Sequence, residues 1–203
     1  MAGMKRALFL VTALAVAGSA AVQALDLDVT VQDIDRGLSM ARSTDGERAK
    51  FHATYIKKLN TPFIESVEVV SEYRRVVLLA EERIRKGERM FAYSTTLAQQ
   101  ALGPWKTRVS IVARVRFHPQ NNYVMVPDVD IALPQRERAR IGVLKDPILA
   151  MPNPQPGDRL AVLGAVVEGV FDAAVLRDGT YEFVVSVDKK EVGRVTFDLG
   201  VLD

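Results

Sequence analysis

Two alternating runs between Arg108 and Leu133 constrain the fold of this chain more than any other feature of its sequence. Apolar residues occupy the odd-numbered positions from Val109 to Phe117, and a second run of this kind extends from Tyr123 to Leu133. A period of two residues is typical of a strand with one buried face. Pro119 to Asn122, between the runs, have the chemistry of a turn. The pattern predicts a long antiparallel strand pair in a β-rich core.

The residues before Trp105 have a helical pattern instead. A capping box that begins at Thr30 predicts the start of a helix. Its apolar face is formed by residues spaced at i, i+4 and i+7, namely Ile34, Leu38 and Ala41. Residues 43–46 are expected to end this helix. Residues 47–70 permit either helix or strand, with an extended pattern from Ile64 to Val70.

The clearest helix is predicted from Ser71 to Lys86, where Gly87 follows as a C-cap. Two acid–base pairs stand at i,i+4 in the favourable order, Glu81 with Arg85 and Glu82 with Lys86. A shorter helix is predicted from Ser94, its N-cap, to Leu102. Residues 25–104 are therefore expected to form a helix-rich segment.

Strand patterns dominate the rest of the chain. The polar, proline-punctuated stretch from Gln135 to Pro156 predicts a long loop or an edge crossing and excludes a central strand. Alternation then predicts strands over Val166–Leu176 and from Tyr181 to Val187. Lys189-Lys190 is expected to turn the chain into a last strand, with Val195, Phe197 and Leu199 facing inward.

One short motif in this β-rich part resembles a known family. Leu176-Arg177-Asp178-Gly179-Thr180-Tyr181, followed by alternating apolar residues, is similar to the tyrosine corner of immunoglobulin-like sandwiches. The chain lacks the cysteine pair of antibody domains. The resemblance implies a fold and no particular chemistry. The expected fold class is α+β: the helix-rich segment followed by an antiparallel immunoglobulin-like β-sandwich over residues 105–203.

The N-terminus has the pattern of a secretory signal peptide. Lys5 and Arg6 precede an apolar run that is short for a bilayer span, and Val22-Gln23-Ala24 has small residues at the positions that a signal peptidase reads. We expect residues 1–24 to be removed, leaving no transmembrane segment, and the protein to be periplasmic or secreted. An uncleaved membrane anchor is the alternative interpretation.

Charge and cysteine content narrow the class of partner. Removal of Lys5 and Arg6 leaves 25 of the 27 basic residues against 25 acidic residues, so no net field attracts nucleic acid. An exported chain without cysteine depends on its core for stability. The absence of an N-glycosylation acceptor also favours a protein of the bacterial envelope.

Two groups of arginines are the candidate binding residues. Arg114 and Arg116 are predicted to lie on the solvent face of one strand, while Arg136, Arg138 and Arg140 alternate along a probable edge. Charge along an edge blocks unwanted strand pairing, and binding of an acidic partner is the alternative role for the second group. A third pair, Arg74-Arg75, has glutamates nearby and is expected to belong to a solvated helix face.

A metal site is the weaker candidate. His118 stands at a strand end, and the predicted hairpin would bring Asp128 and Asp130 to the neighbouring strand, which gives three ligands for a divalent ion. The competing interpretation pairs these carboxylates with Arg114 and Arg116 across the hairpin. His52 has no partner nearby in sequence and is expected at the surface or partly buried. No motif for a nucleophile, phosphate loop or cofactor is present, so no cofactor is expected.

These patterns predict an exported, non-enzymatic binding, accessory or scaffold protein that recognises another envelope protein by surface contact. The Gln135–Pro156 loop and the Arg114/Arg116 face are the expected contact regions. Two alternatives stay open: a metal-assisted hydrolase that uses His118, Asp128 and Asp130, and a carrier of a small apolar ligand held between the helices and the sheet.

Overall fold

The computed structural model describes residues 29–59, 61–118, 120, 125–150, 161–176 and 179–202. The predicted signal peptide lies outside the described residues, as do Arg177 and Asp178 of the corner motif. The α-helices are α1 (Val31–Ala41), α2 (Asp45–Tyr55), α3 (Glu72–Arg85) and α4 (Thr95–Leu102). The strands are β1 (Ile56–Lys58), β2 (Ile64–Val70), β3 (Arg108–Arg116), β4 (Val129–Ala132), β5 (Arg140–Leu149), β6 (Val162–Asp172), β7 (Thr180–Val187) and β8 (Lys190–Asp198).

Three helices begin at the residues that the sequence predicts. Thr30, Ser71 and Ser94 each accept a hydrogen bond from the backbone N–H three residues later, as N-caps of α1, α3 and α4. Helix α2 is an addition. Thr44, which was expected to lie where the first helix ends, forms a complete capping box with Glu47 and begins α2.

The strands form two antiparallel sheets, one of five strands in the order β1-β2-β3-β6-β5 and one of three in the order β4-β7-β8. This confirms a mixed helix and sheet protein with two antiparallel sheets. The immunoglobulin-like arrangement is not confirmed, because β1 and β2, which precede residue 105, belong to the larger sheet. Val69 of β2, for example, lies opposite Ile111 of β3. The helix-rich segment and the later strands therefore share one sheet.

The predicted hairpin between the two alternating runs is wrong. Strand β3 pairs with β2 on one side and with β6 on the other, whereas β4 pairs with β7 in the smaller sheet. Strand β6 matches β3 over all nine residues, from Arg108↔Asp172 to Arg116↔Gly164. Strand β4 begins only at Val129, after Pro127, and offers four residues. The longer ladder with β6 satisfies more backbone groups than a hairpin with β4 would.

The long loop predicted from Gln135 to Pro156 is wrong in part. A short 3-10 helix, Pro134–Ala139, is followed by β5, a strand of ten residues. The edge position is confirmed, since β5 is the last strand of the five-stranded sheet. Pro147, opposite Ala165, is tolerated there because an edge strand pairs on one side only. The predicted turn at Lys189-Lys190 falls one residue earlier, where Asp188 and Lys189 have left-handed φ angles of 49° and 65°.

The two sheets enclose the larger apolar core. Phe171, Phe183 and Phe197 meet edge to face at its centre, with ring centroids 5.5 and 6.4 Å apart. Val195, Phe197 and Leu199 are buried, as the last alternating run predicts.

A second, smaller core lies among the helices, where Ile34, Leu38 and Ala41 of α1 are buried with residues of α3. Gly37 permits the close approach, because a Cβ there would lie 3.0 Å from a methyl carbon of Val76.

A buried arginine and a half-buried one join the helical core to the sheet, so the predicted solvated face at Arg74-Arg75 is wrong. Arg74 is 1% exposed, donates hydrogen bonds to the Val69 carbonyl and the Glu68 carboxylate, and lies over the Tyr55 ring. Only the N-cap Ser71 separates β2 from α3. Such a short connection holds the first turn of α3 against the sheet, where its cations are removed from water.

Arg75 makes the second link. Its guanidinium donates to Ser110 Oγ at 2.7 Å and to Glu168 Oε1 at 2.8 Å, on β3 and β6 respectively. The guanidinium also stacks over Trp105, with Cζ 3.7 Å from the ring centroid. Burial lowers the pKa of Arg75, while the Glu168 carboxylate opposes that shift. These contacts assign the two arginines to the structure of the helix–sheet junction.

Candidate functional site

The predicted arginines Arg114 and Arg116 lie on the outer face of the five-stranded sheet, away from the core. Their neighbours Ala113 and Val115 face inward and are fully buried, while both arginines are exposed. Arg116 donates to the Glu65 carboxylate at 3.0 Å. Arg114 lies between Ser66 of β2 and Val166 of β6, and within the described residues it has no ion pair.

We call this part of the molecule the outer sheet face: the solvent-facing residues Ser66, Val112, Arg114, Arg116, Leu144, Asp146 and Val166. Helix α3 reaches one end of the face, where Arg74 binds Glu68 and Arg75 binds Ser110 and Glu168. The remainder is open to solvent, and Leu144 of β5 is 51% exposed. An exposed apolar side chain and a cation without an ion pair on one face are typical of a recognition surface.

The other three arginines lie elsewhere. Arg136 and Arg138 are exposed on the 3-10 helix that precedes β5, and Arg140 begins the strand opposite Phe171. Arg114 lies in the row of Asp146 instead, which is six positions further along β5, or about 20 Å at the rise of a strand. The five arginines therefore form two separate groups.

The candidate metal ligands each have other partners. Arg140 binds Asp130 at 2.7 Å and Lys145 binds Asp128 at 3.1 Å, so both carboxylates form ion pairs between β5 and the smaller sheet. The predicted pairing with Arg114 and Arg116 across a hairpin is thus wrong. His118 accepts a hydrogen bond from the Gln120 backbone N–H at 3.2 Å. In the part of the chain that the structure describes, no three His, Cys, Asp or Glu side chains form a group able to hold a metal ion.

The sequence did not reveal a cleft between α2, α3 and the 3-10 helix Arg89–Tyr93. Its larger part is about 410 Å³ and its smaller part about 220 Å³, and the two share three residues of their lining. We call it the arginine cleft. Its lining comprises Ala41, Arg42, Arg48, His52, Glu81, Ile84, Arg85, Arg89, Ala92 and Tyr93.

Glu81 is the centre of the larger part. His52 Nε2 lies 3.0 Å from its Oε1, and Arg48 Nε lies 3.3 Å from the same atom. Helix α2 carries both partners, four residues apart on one face. Glu81 was expected to pair with Arg85 along α3, and this prediction is wrong, whereas the companion pair of Glu82 with Lys86 is confirmed at 2.6 Å.

The arrangement explains why sequence reasoning missed the cleft. His52 and Glu81 stand 29 positions apart, and the sequence left residues 47–70, which include most of α2, open between helix and strand. A glutamate and an arginine at i,i+4 ordinarily bind each other. The signal that was available is Thr44 with Glu47, a capping box that predicts α2 and hence the placement of Arg48 and His52 on one helix face.

Comparison of the chain with models of known protein families, with curated proteins and with solved structures finds no match. Across the residues that the structure describes, no helix combines the length and apolar character needed to cross a membrane.

Proposed function

We propose that this protein is an exported, non-enzymatic binding or accessory protein of the bacterial envelope, and that it recognises another envelope protein through the outer sheet face. The observation that carries the proposal is the presence on this face of half-exposed Leu144 and of Arg114, a cation that forms no ion pair among the described residues. Export is supported by the signal-peptide pattern alone.

The face is a better contact region than the adjacent edge. Strand β5 has Lys145 and Pro147 in its middle and a register irregularity near each end. Charge, proline and bulges are the devices that protect a sheet edge against the addition of another strand. A partner is therefore expected to pack on side chains of the outer sheet face, with acidic groups opposite Arg114 and an apolar group against Leu144.

The other interpretations have less support. The hydrolase alternative needs His118, Asp128 and Asp130 to converge, and both carboxylates are already ion-paired. The apolar-carrier alternative places its ligand between the helices and the sheet, whereas the arginine cleft lies among the helices and has four arginines in its lining beside its apolar residues. The immunoglobulin-like classification stays part of the proposal, supported by Tyr181 at the beginning of β7.

The test is crosslinked capture of partners by the tagged mature protein in its native envelope, followed by mass spectrometry. We expect one stoichiometric protein partner, and we expect Leu144→Asp together with Arg114→Glu to reduce its recovery at least tenfold, since an apolar anchor and a cation are both lost. Arg138→Glu is the matched control, because it reverses an exposed charge in the other arginine group. Equal recovery with both variants, or background alone with the wild type, would refute the proposal.

A further inference from the structure

We propose that the arginine cleft is a binding site for a small polyanion that bears carboxylate or phosphate groups. This site is separate from the outer sheet face and would operate whether or not a protein partner binds there.

The lining of the arginine cleft carries more positive than negative charge. Among the described residues, four arginines, Arg42, Arg48, Arg85 and Arg89, line the cleft against one acid, Glu81. That carboxylate is already engaged by Arg48 and His52. The chain as a whole is nearly neutral, so this excess of positive charge is local. A concave site with one sign of charge concentrates ligands of the opposite sign.

Two arginines of the lining have guanidinium N–H donors that no described residue engages. Among the described residues, Arg85 and Arg89 make no hydrogen bond and no ion pair, although acids lie close by in the sequence. Those acids have other partners, since Glu82 binds Lys86 and Glu88 binds Arg83, each at 2.6 Å. Two guanidinium groups are thus left with all their N–H groups available, and guanidinium binds carboxylate and phosphate with two parallel hydrogen bonds.

The smaller part of the arginine cleft holds a cation in a fixed position. The Arg42 guanidinium stacks over the Tyr93 ring, with Cζ 4.4 Å from the centroid, and is held by the Ala92 carbonyl. Stacking and hydrogen bonding fix this cation before any ligand arrives, which lowers the entropy cost of binding. Ala41 and Ile84 supply an apolar surface shared by both parts. The combined space is of the size that small-molecule sites have in proteins, roughly 300–1,000 Å³.

The experiment is isothermal titration calorimetry of the full mature chain with three probes. Citrate represents carboxylates, inorganic pyrophosphate represents phosphates, and glycerol is the neutral control. We expect citrate or pyrophosphate to bind with a dissociation constant in the millimolar range or tighter, with affinity that falls as salt is added. The stronger of the two identifies the anionic group, and glycerol is expected not to bind.

A pair of double variants locates the site. Arg85→Gln with Arg89→Gln is expected to weaken binding at least tenfold, because both free guanidinium groups are lost. Arg136→Gln with Arg138→Gln removes the same charge from exposed positions before β5 and is expected to leave the affinity unchanged. Circular dichroism verifies that both variants fold. The proposal is refuted if neither anion binds, or if both double variants weaken binding equally.

Discussion

The two ends of helix α3 place arginines in opposite environments. At its beginning, Arg74 is buried and Arg75 is half-buried, and each is held by a carboxylate and by an aromatic ring. At its end, Arg85 is exposed and lines the arginine cleft without an ion pair among the described residues. The first pair joins two cores, whereas the last arginine is available to a ligand. Residue type and local spacing are alike at the two ends, so the difference arises from what the fold brings against each side chain.

The energetic consequences differ as well. A buried ion pair has lost its hydration, and removal of one partner leaves the other with an uncompensated cost. An exposed arginine keeps its hydration and contributes little to stability. Substitutions at the two ends of α3 therefore separate structural arginines from functional ones.

The largest effect is expected for Arg74→Ala. The change removes the partner of Glu68, opens space beside Tyr55 and leaves the Val69 carbonyl without its donor. We expect the free energy of unfolding to fall by about 3 kcal/mol. Urea unfolding followed by circular dichroism measures this change. Arg85→Ala, on the same helix, is the control and is expected to stay within about 0.5 kcal/mol of the wild type. Similar losses for both variants would abolish the distinction between the two ends.

A buried charge on the neighbouring helix sharpens the comparison, because it titrates where arginine does not. Hydrogen bonds from Thr30 and Arg36 lower the pKa of Asp33, the largest contribution coming from the Thr30 hydroxyl, from 3.8 to about 2 in the folded chain. A carboxyl whose pKa is lower in the folded state stabilises that state above its unfolded pKa, and this stabilisation is lost as the pH falls through the folded pKa.

We therefore expect Asp33→Asn to cost about 2 kcal/mol at neutral pH, and this difference from the wild type to shrink between about pH 4 and pH 2. Unfolding curves at several pH values in this window measure it. Asp35→Asn, an exposed position on the same helix, is the control and should give a small difference at every pH. A cost for Asp33→Asn that did not change with pH would show that the carboxylate charge is not its cause.

Local patterns predicted the N-caps of three helices, but they missed strand β5 and the pairing of β3. The caps at Thr30, Ser71 and Ser94 depend on side chains that bond within one turn, so they can be identified from the sequence alone. Strand β3 pairs with β6 instead of β4 because β6 offers the longer ladder of backbone hydrogen bonds. Strand β6 is far from β3 in the chain, so local patterns do not indicate this pairing.

The same limit applies to the candidate sites. Arg114 and Arg116 were placed on one face by the period of a strand, which is a local property. The arginine cleft depends on the pairing of Glu81 with His52 instead of Arg85. The packing of α2 on α3 determines this pairing. Local spacing at Glu81 favoured the other partner. A site that forms because an expected i,i+4 ion pair is absent cannot be found from residue spacing alone.

The smallest effect is expected for Arg75→Lys, which keeps the charge and removes the planar group. Lysine has no flat surface to lie on Trp105, and its ammonium would have to reach the position of Arg75 Nη2, which donates to both Ser110 and Glu168. We expect a loss of about 1.5 kcal/mol in the free energy of unfolding. Trp105 is the single tryptophan of the chain, so its fluorescence emission reports directly on the junction and should shift in the variant.

Arg114→Lys is the matched control for this prediction, since Arg114 lies on the same sheet and forms no ion pair among the described residues. It should change neither the stability nor the emission spectrum. If Arg75→Lys behaved in the same way, charge alone would hold the helices to the sheet, and the planar contact with Trp105 would contribute nothing. A loss of stability together with a shifted emission would establish that the shape of the guanidinium, in addition to its charge, makes the beginning of α3 structural.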